Sequence, residues 1–313
     1  MDNTENIEVL NRQLVDHITN SENGDLTKMS SAATSVIRTE IREDGFTRKV
    51  LKPKMIGNED LDRVVEHDRP VVIEEIETSA KGSFTVPFNS SSHGQSYYGP
   101  KGLIEFFQVK TPKWYKNINE LRTYRHDIRK LITDNALQDM QLEEDGHFIQ
   151  GINQIVGPPN GVGMSGVQQN FEIQGGISRN TYPEIKKILQ RQRLNNGIFL
   201  MNRHTAIEFE KWFHDEWGGS EAQDITKKGL VGSLQDSNLY GVPHIFTIKD
   251  ELVPDNVVYL FTEPGFLGKF YILQDATMYV KKEEDIITFN ATETIGVGIL
   301  NTAGVARVEF VGA

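Results

Sequence analysis

The sequence predicts a mixed α+β fold in which a packed body carries an N-terminal arm and a long projecting β-ribbon. Three observations predict it. Residues 1–67 are too polar to build a core, residues 71–111 set strand-like text around a wide polar excursion, and a helix of about thirty residues precedes a region alternating helix and strand.

The arm comes first. Ile7, Leu10, Leu14 and Ile18 recur at helical spacing before the polar linker SENGDLTK, and Val36, Ile37 and Ile41 mark a second short helical patch that Gly45 is expected to end. From there to Pro70 the text is charged and interrupted by Pro53 and Gly57, so an extended arm is expected. The ribbon follows as VVIEEIET, SFTVPF and GLIEFFQVKT, with NSSSHGQSYYGPKG between its outer strands. A two-stranded ribbon of that length is marginal alone in water, so a neighbouring subunit is expected to support it. Gly57, Gly82 and Gly102 are its expected flexible joints.

Leu121, Tyr124, Ile128, Leu131, Ile132, Ala136 and Met140 keep a 3.6-residue rhythm and predict one long helix. At 1.5 Å per residue it would span roughly 45 Å and stop at GPPNG. Beyond it, TYPEIKKILQRQRL, GIFLMN, HTAIEFEKWFHDEWGG, YGVPHIFT and NVVYLF alternate as an α/β lobe. A late hairpin, GKFYILQDATMYV and DIITFNATETIGVGILN around a turn at Lys281 to Asp285, leads to a last strand VARVEFVG.

Composition limits the function classes. A formal charge of −11 argues against sequence-independent gripping of nucleic acid, which needs clustered Lys and Arg. The absence of cysteine excludes disulfides, thiolate metal sites and a cysteine nucleophile. The start MDNTENIEVLNRQ has no basic region followed by an apolar run, and no stretch approaches the roughly 18 apolar residues of a membrane span. A soluble protein made in the cytoplasm is therefore expected.

Candidate chemical motifs have plain structural readings. Gly161, Gly163 and Gly166 match the G-x-G-x-x-G dinucleotide fingerprint, which needs a strand before it and a helix after it. Here a helix precedes it, and a surface turn is expected. His214, Asp215 and Glu216 are adjacent on a helix and point to different sides, so they do not converge on a metal. Glu143, Glu144 and Asp145 on the long helix are expected to form a solvated or inter-subunit charged face. The aromatic pairs Tyr97–Tyr98 and Phe106–Phe107 lack the flanking cations of a base-stacking groove. The triplets at Asn89 and Asn290 match the glycosylation signal without a secretory context. No catalytic residue, cofactor site or metal site is expected.

Four stretches resemble one family. TDNALQDMQLEEDGHFIQGINQIVG is similar to the end of a spine helix, GIFLMNRHTAIEFEKW to a buried strand ending in Met201-Asn202, GLVGSLQDSNLYGVPHIFT to a segment leading into Gly241, Val242 and Pro243, and TETIGVGILNTAGVARVEF to a closing strand pair with Asn301 at its corner. In this order they resemble the Hong Kong 97-type capsid fold of tailed-bacteriophage major capsid proteins. The resemblance implies an N-arm over 1–67, an E-loop over 68–112, a peripheral P-domain from the spine helix at 113–156 and the late hairpin at 265–300, and an axial A-domain over 157–264 joined by the final strand at 301–313.

It also implies a shell protein and not an enzyme. Its first partner would be itself, as pentamers and hexamers of an icosahedral shell enclosing double-stranded DNA that it holds by proximity alone. Scaffolding, portal and decoration proteins are further implied partners, and the virion is the implied location. Phe84, Val86, Tyr97, Tyr98, Phe106 and Trp114 are the expected subunit-interface residues, and Tyr124, Ile128, Leu131 and Ile132 the spine residues. Some members join a hairpin lysine to a neighbour's asparagine, for which Lys81, Lys101 and Asn290 are the available residue types, although no cross-link is expected. The rival readings are an encapsulin-type nanocompartment shell and an α/β nucleotide-binding enzyme.

Overall fold

The computed structural model describes residues 45–76, 85, 88, 99–121, 128–178, 180–208, 237–239 and 241–312. Along them run α1 (Phe46–Val50), β1 (Pro53–Met55), β2 (Val71–Glu75), β3 (Lys101–Lys110), β4 (Trp114–Asn117), α2 (Ile118–Leu121) and α3 (Ile128–Val156). There follow β5 (Asn170–Gln174), α4 (Thr181–Arg191), β6 (Ile198–Asn202), β7 (Ser237–Leu239), β8 (Val242–Thr247), β9 (Val257–Phe261), α5 (Pro264–Leu267), β10 (Gly268–Glu283), β11 (Ile286–Ile299) and β12 (Val305–Val311).

The 29 residues of α3 make a rod about 43 Å long. Ile132, Ala136, Met140, Phe148, Ile152 and Val156 recur along one side and are buried, which is the stripe a 3.6-residue period produces. The helix stops where Gly157 takes φ +71° and Pro158 follows, since a left-handed residue closes the last turn and proline cannot continue it. Of the expected spine residues, Ile128, Leu131 and Ile132 lie in α3, and Tyr124 lies outside the described residues.

The first sheet has the order β1-β10-β11-β3-β2, and β4 also pairs with β11. Its frame is the late hairpin, 16 and 14 residues long, turning at Glu284 with φ +53°. On one edge of β11, β3 pairs with Thr292–Gly296 and β4 with Ile286–Phe289, so one strand carries both the ribbon and the approach to α3. Alternate residues Ile287, Phe289, Ala291, Glu293 and Ile295 are buried, as a period of two requires of a sheet with one packed face.

The second sheet has the order β5-β12-β9-β6-β8-β7. Leu200, Ile245, Tyr259, Phe261 and Val305 join α3 and the late hairpin in one core. On the opposite face Phe199, Met201, Val258, Leu260, Val308 and Phe310 pack with Tyr182, Ile185, Ile188 and Leu189 of α4. Cover on both faces explains the unbroken apolar text of IFLMN and VVYLF.

One expectation needs correcting. The chain from Phe46 to Ile56 does not extend away as an arm: Phe46, Val50 and Leu51 sit in the main core, Ile56 sits under the ribbon base, and β1 adds to β10. Its few apolar residues suffice because α3 and β10 supply the rest of the surface. Residues 1–44 lie outside the described residues.

The ribbon base is held by close approach. Gly298 lies under Ile104, whose Cγ1 would stand 2.5 Å from a Cβ there, and Gly296 lies under the Phe106 ring. Gly102, expected as a joint, is filled space as well, since a Cβ would meet Leu300 Cδ2 at 2.7 Å. Gly57 has ordinary extended backbone at φ −95°, and Gly82 lies outside the described residues. Gly298→Val is expected to destabilise the subunit by about 2–3 kcal/mol, because β3 cannot retreat from β11 without breaking the ladder. Urea unfolding followed by circular dichroism measures it, and a loss below about 0.5 kcal/mol would contradict the close contact.

Candidate functional site

The residues expected to meet a neighbouring subunit divide sharply. Phe84, Val86, Tyr97 and Tyr98 lie outside the described residues, as do Lys81 and the trio His214, Asp215 and Glu216. Phe106 turns inward and packs with Ile56, Val72, Ile104 and Tyr271 of its own chain. Trp114 also lies against its own core, because β4 presents it on the side of Phe289. Both corrections follow from strand parity, which is fixed by pairing with β11 and was open until that partner was known.

Other side chains are left outward. Ile73 and Leu103 are direct cross-strand partners at 38% and 45% exposure on the outer face of the ribbon base. At the far end of the sheet, register places Tyr115, Tyr279 and Ile286 on one outer face, with Tyr115 65% exposed. Asn290 shares that face, directly across from Tyr279.

The acidic residues of α3 also need correction. Glu143 is solvated and lies 3.4 Å from His147 Nε2, but Glu144 and Asp145 are buried at 1% and 0% exposure. Arg48 Nε of α1 donates to Glu144 Oε1 at 2.9 Å and to Oε2 at 3.2 Å, while its Nη2 donates to Glu293 of β11. Asp145 Oδ1 accepts from the backbone N–H of Thr47 at 3.0 Å and from its hydroxyl at 2.6 Å. Lys249, from the turn between β8 and β9, donates to Asp145 Oδ2 at 2.6 Å. The guanidinium also stands over the Phe270 ring, 5.4 Å from its centroid. A short helix, the long helix, the late hairpin and the α/β lobe therefore meet in one buried charge cluster.

Burial pushes the Glu144 carboxyl up to about 7; Arg48 offsets part of that rise, and Glu293 and Asp145 add to it. Glu293 is raised by the same cause, with Asp275 adding to it. Burial opposes the Arg48 charge, and its two carboxylate partners outweigh that opposition. The signal for this cluster was present in the sequence as phase: Glu144 lies four residues from both Met140 and Phe148, Asp145 four from Ile149, and Glu293 falls between Ala291 and Ile295 on the inward side of β11.

The glycine loop is a structural turn. It lies between a helix and a strand, the reverse of the dinucleotide context, and a Cβ on Gly163 would come within 2.3 Å of Gln169 Oε1. Asn160, at φ +54°, covers the outer edge of β5: its N–H donates to Asn170 O and its Oδ1 accepts from the N–H of Glu172. A groove of about 770 Å³ between ribbon base and lobe is lined by Glu74, Glu75, Arg193, Phe266, Lys269 and Leu300 among others, and among the described residues no histidine or serine lines it. Among the described residues no group of three or more His, Asp or Glu is arranged to hold a metal ion.

Arg48→Ala is expected to cost about 3–5 kcal/mol, because it strands two buried carboxylates. The triple change Arg48→Met, Glu144→Leu, Glu293→Leu should recover most of that loss. Thermal unfolding of the three proteins checks both statements, and a mild Arg48→Ala loss would sink the reading of the cluster as a structural tie.

Comparison with known proteins bears on the fold. No family model and no curated protein sequence matches the chain. The capsid of an empty GTA (gene transfer agent) particle aligns with 84% of this chain and 88% of its own at 14% identity and a TM-score of 0.58. The capsid of the cyanophage P-SCSP1u aligns over 84% and 87% at 9% identity with a TM-score of 0.56. A virus-like particle from Pyrococcus furiosus aligns over 89% and 96% at 14% identity with a TM-score of 0.52. Because most of each matched chain is covered, the likeness is one of overall fold, and the chain has the phage major capsid protein fold.

Proposed function

We propose that this chain is the major capsid protein of a tailed bacteriophage, a non-enzymatic subunit that assembles as pentamers and hexamers into an icosahedral shell around double-stranded DNA. The observation that carries the reading is the likeness of fold, over 84% of this chain, to two capsid chains. The exposed apolar residues support it, since the cross-strand pair Ile73 and Leu103, and Tyr115 and Tyr279 on one outer face of the sheet, are surfaces that a neighbouring copy can cover. At about 25 cal/mol per Å² of apolar area such contacts drive association, and ordering costs offset much of it, so many moderate contacts act together.

In this reading residues 1–67 are the N-arm, of which Phe46 to Ile56 is seated in the body, residues 68–112 the E-loop, 113–156 and 265–300 the P-domain, and 157–264 with 301–313 the A-domain. Heterologous contacts around the A-domain close rings of five and six. The interface anchors are Ile73, Leu103, Tyr115 and Tyr279, together with Phe84, Val86, Tyr97 and Tyr98 of the E-loop. A separate scaffolding protein, a portal and a decoration protein are the further partners, and the virion is the location. DNA is enclosed without being gripped, in keeping with a net charge of −11.

Lys101 and Asn290 lie eleven rungs apart by the register of β3 and β11, roughly 35 Å at 3.3 Å per residue, so any bond between them joins two copies. A single band on a denaturing gel of assembled particles is the expected result, and a ladder of covalent oligomers would show the bond. The second reading is a nanocompartment shell with protein cargo, a shell of the same fold with different contents, and the likeness to a virus-like particle from Pyrococcus furiosus is a likeness of shell alone.

Electron microscopy of the expressed protein should show closed shells. The double change Ile73→Thr, Leu103→Thr should leave folded subunits that do not close shells, and intact particles from that variant would overturn the assembly role of the ribbon face. Nucleic acid inside native particles supports the capsid, and protein cargo supports the compartment.

A further inference from the structure

Charge is missing from one stretch of the chain. A quarter of all residues are charged and the formal charge is −11, yet between Asp145 and Glu172 there is no Asp, Glu, Lys or Arg. The stretch is not all interior. On the last turns of α3 the exposed positions Gln150, Asn153 and Gln154 carry amides, and beyond the helix Pro158, Pro159 and Asn160 lie on the surface. A solvated surface ordinarily places charges at such positions.

Within this stretch a small hairpin presents apolar side chains to water. Val162 bridges Gln168, and the turn between them closes where the Gly166 N–H donates to Gly163 O at 3.0 Å. Val162 and Met164 are 65% and 70% exposed, and Val167 is exposed at the same tip. The tip is held from behind: the Gly163 N–H donates to Val167 O and the Met164 N–H to Ile155 O of α3. Buried Gln169 accepts from the Ser165 hydroxyl at 2.6 Å and donates to Thr302 O and Val305 O. The apolar side chains are therefore offered on a fixed backbone, which lowers the ordering cost of covering them.

We propose that the hairpin tip from Val162 to Val167 is a contact between copies of this chain, in which it meets the same tip of its neighbours about a rotation axis. Charge chooses a second copy as the occupant. About an axis each copy brings the same residues together, so a charged group there would face its own like at short range, and this is where the chain has none. Copies that each carry −11 repel one another elsewhere, which leaves an uncharged patch as a surface on which they can meet. A partner of different sequence would be selected by complementary charge, and Glu172 at the border is already engaged by Asn160 Nδ2 at 2.9 Å. Three side chains bury too little to hold an isolated pair, so the contact acts where other interfaces already bring copies together. For that support it rests on the reading of the chain as a shell subunit.

The full chain has no cysteine, so one introduced thiol reports on other copies alone. Assembled particles of Met164→Cys, treated with a short bifunctional maleimide, should give a covalent dimer on a denaturing gel. Ile248→Cys, 73% exposed but outside the stretch, should remain a monomer. Met164→Glu, which repeats a charge about the axis, should lower particle yield about tenfold, while Met164→Leu keeps the wild-type yield. No dimer from Met164→Cys particles overturns the contact, as does an equal dimer yield from Ile248→Cys or wild-type assembly of Met164→Glu. Should Met164→Glu not fold, the two cysteine variants decide. If the wild-type protein forms no particles, the shell reading fails by itself, and cross-linking of concentrated Met164→Cys protein still decides the contact: a dimer supports it and a monomer overturns it.

Discussion

One guanidinium shared between two buried carboxylates fixes how the parts of this subunit meet. Arg48 comes from a helix of five residues, Glu144 from the long helix and Glu293 from the late hairpin, and Asp145 beside them draws in Lys249 from the lobe. Apolar contact by itself is non-directional and would let α1 slide or rotate on the core. The charged hydrogen bonds set its depth and rotation, because each has a narrow distance and angle. Stability alone gives a poor account of such a cluster, since well-packed apolar groups often serve as well or better. Its effect here is on position.

From that point the two sheets can be understood together. The late hairpin turns Ile287, Phe289, Ala291 and Ile295 toward α3, and the lobe turns Leu200, Tyr259 and Phe261 toward the same helix. The long helix is thus covered by both, and it transmits the placement of one sheet to the other. The ribbon leaves this frame at β3, where two glycines of β11 let Ile104 and Phe106 lie close to the backbone. Its outward side keeps Ile73 and Leu103 in water within the single subunit.

That division between inward and outward apolar residues links the fold to assembly. Phe106 is buried and Trp114 partly buried against the chain's own core, while Ile73, Leu103, Tyr115 and Tyr279 stay exposed among the described residues, the faces that the proposed assembly would use. At the edge of β5, Asn160 covers one acceptor and one donor, the C=O of Asn170 and the N–H of Glu172, which shortens the edge left open to another strand.

Periodicity in the sequence determined the long helix, the late hairpin, the buried strands IFLMN and VVYLF, and the order of elements, because each is a local pattern of apolar residues at period 3.6 or 2. The structural turn at Gly161 was legible for a similar reason, as the helix before it is visible in the text. Only the tertiary structure decided that Phe46 to Ile56 belongs to the core, that Phe106 and Trp114 face inward, and that Glu144 and Asp145 are buried. The physical reason is the same in each case. A residue's side of a strand or the environment of a charge depends on which distant element lies opposite, and Arg48 stands 96 residues before Glu144 and 245 before Glu293 in the chain.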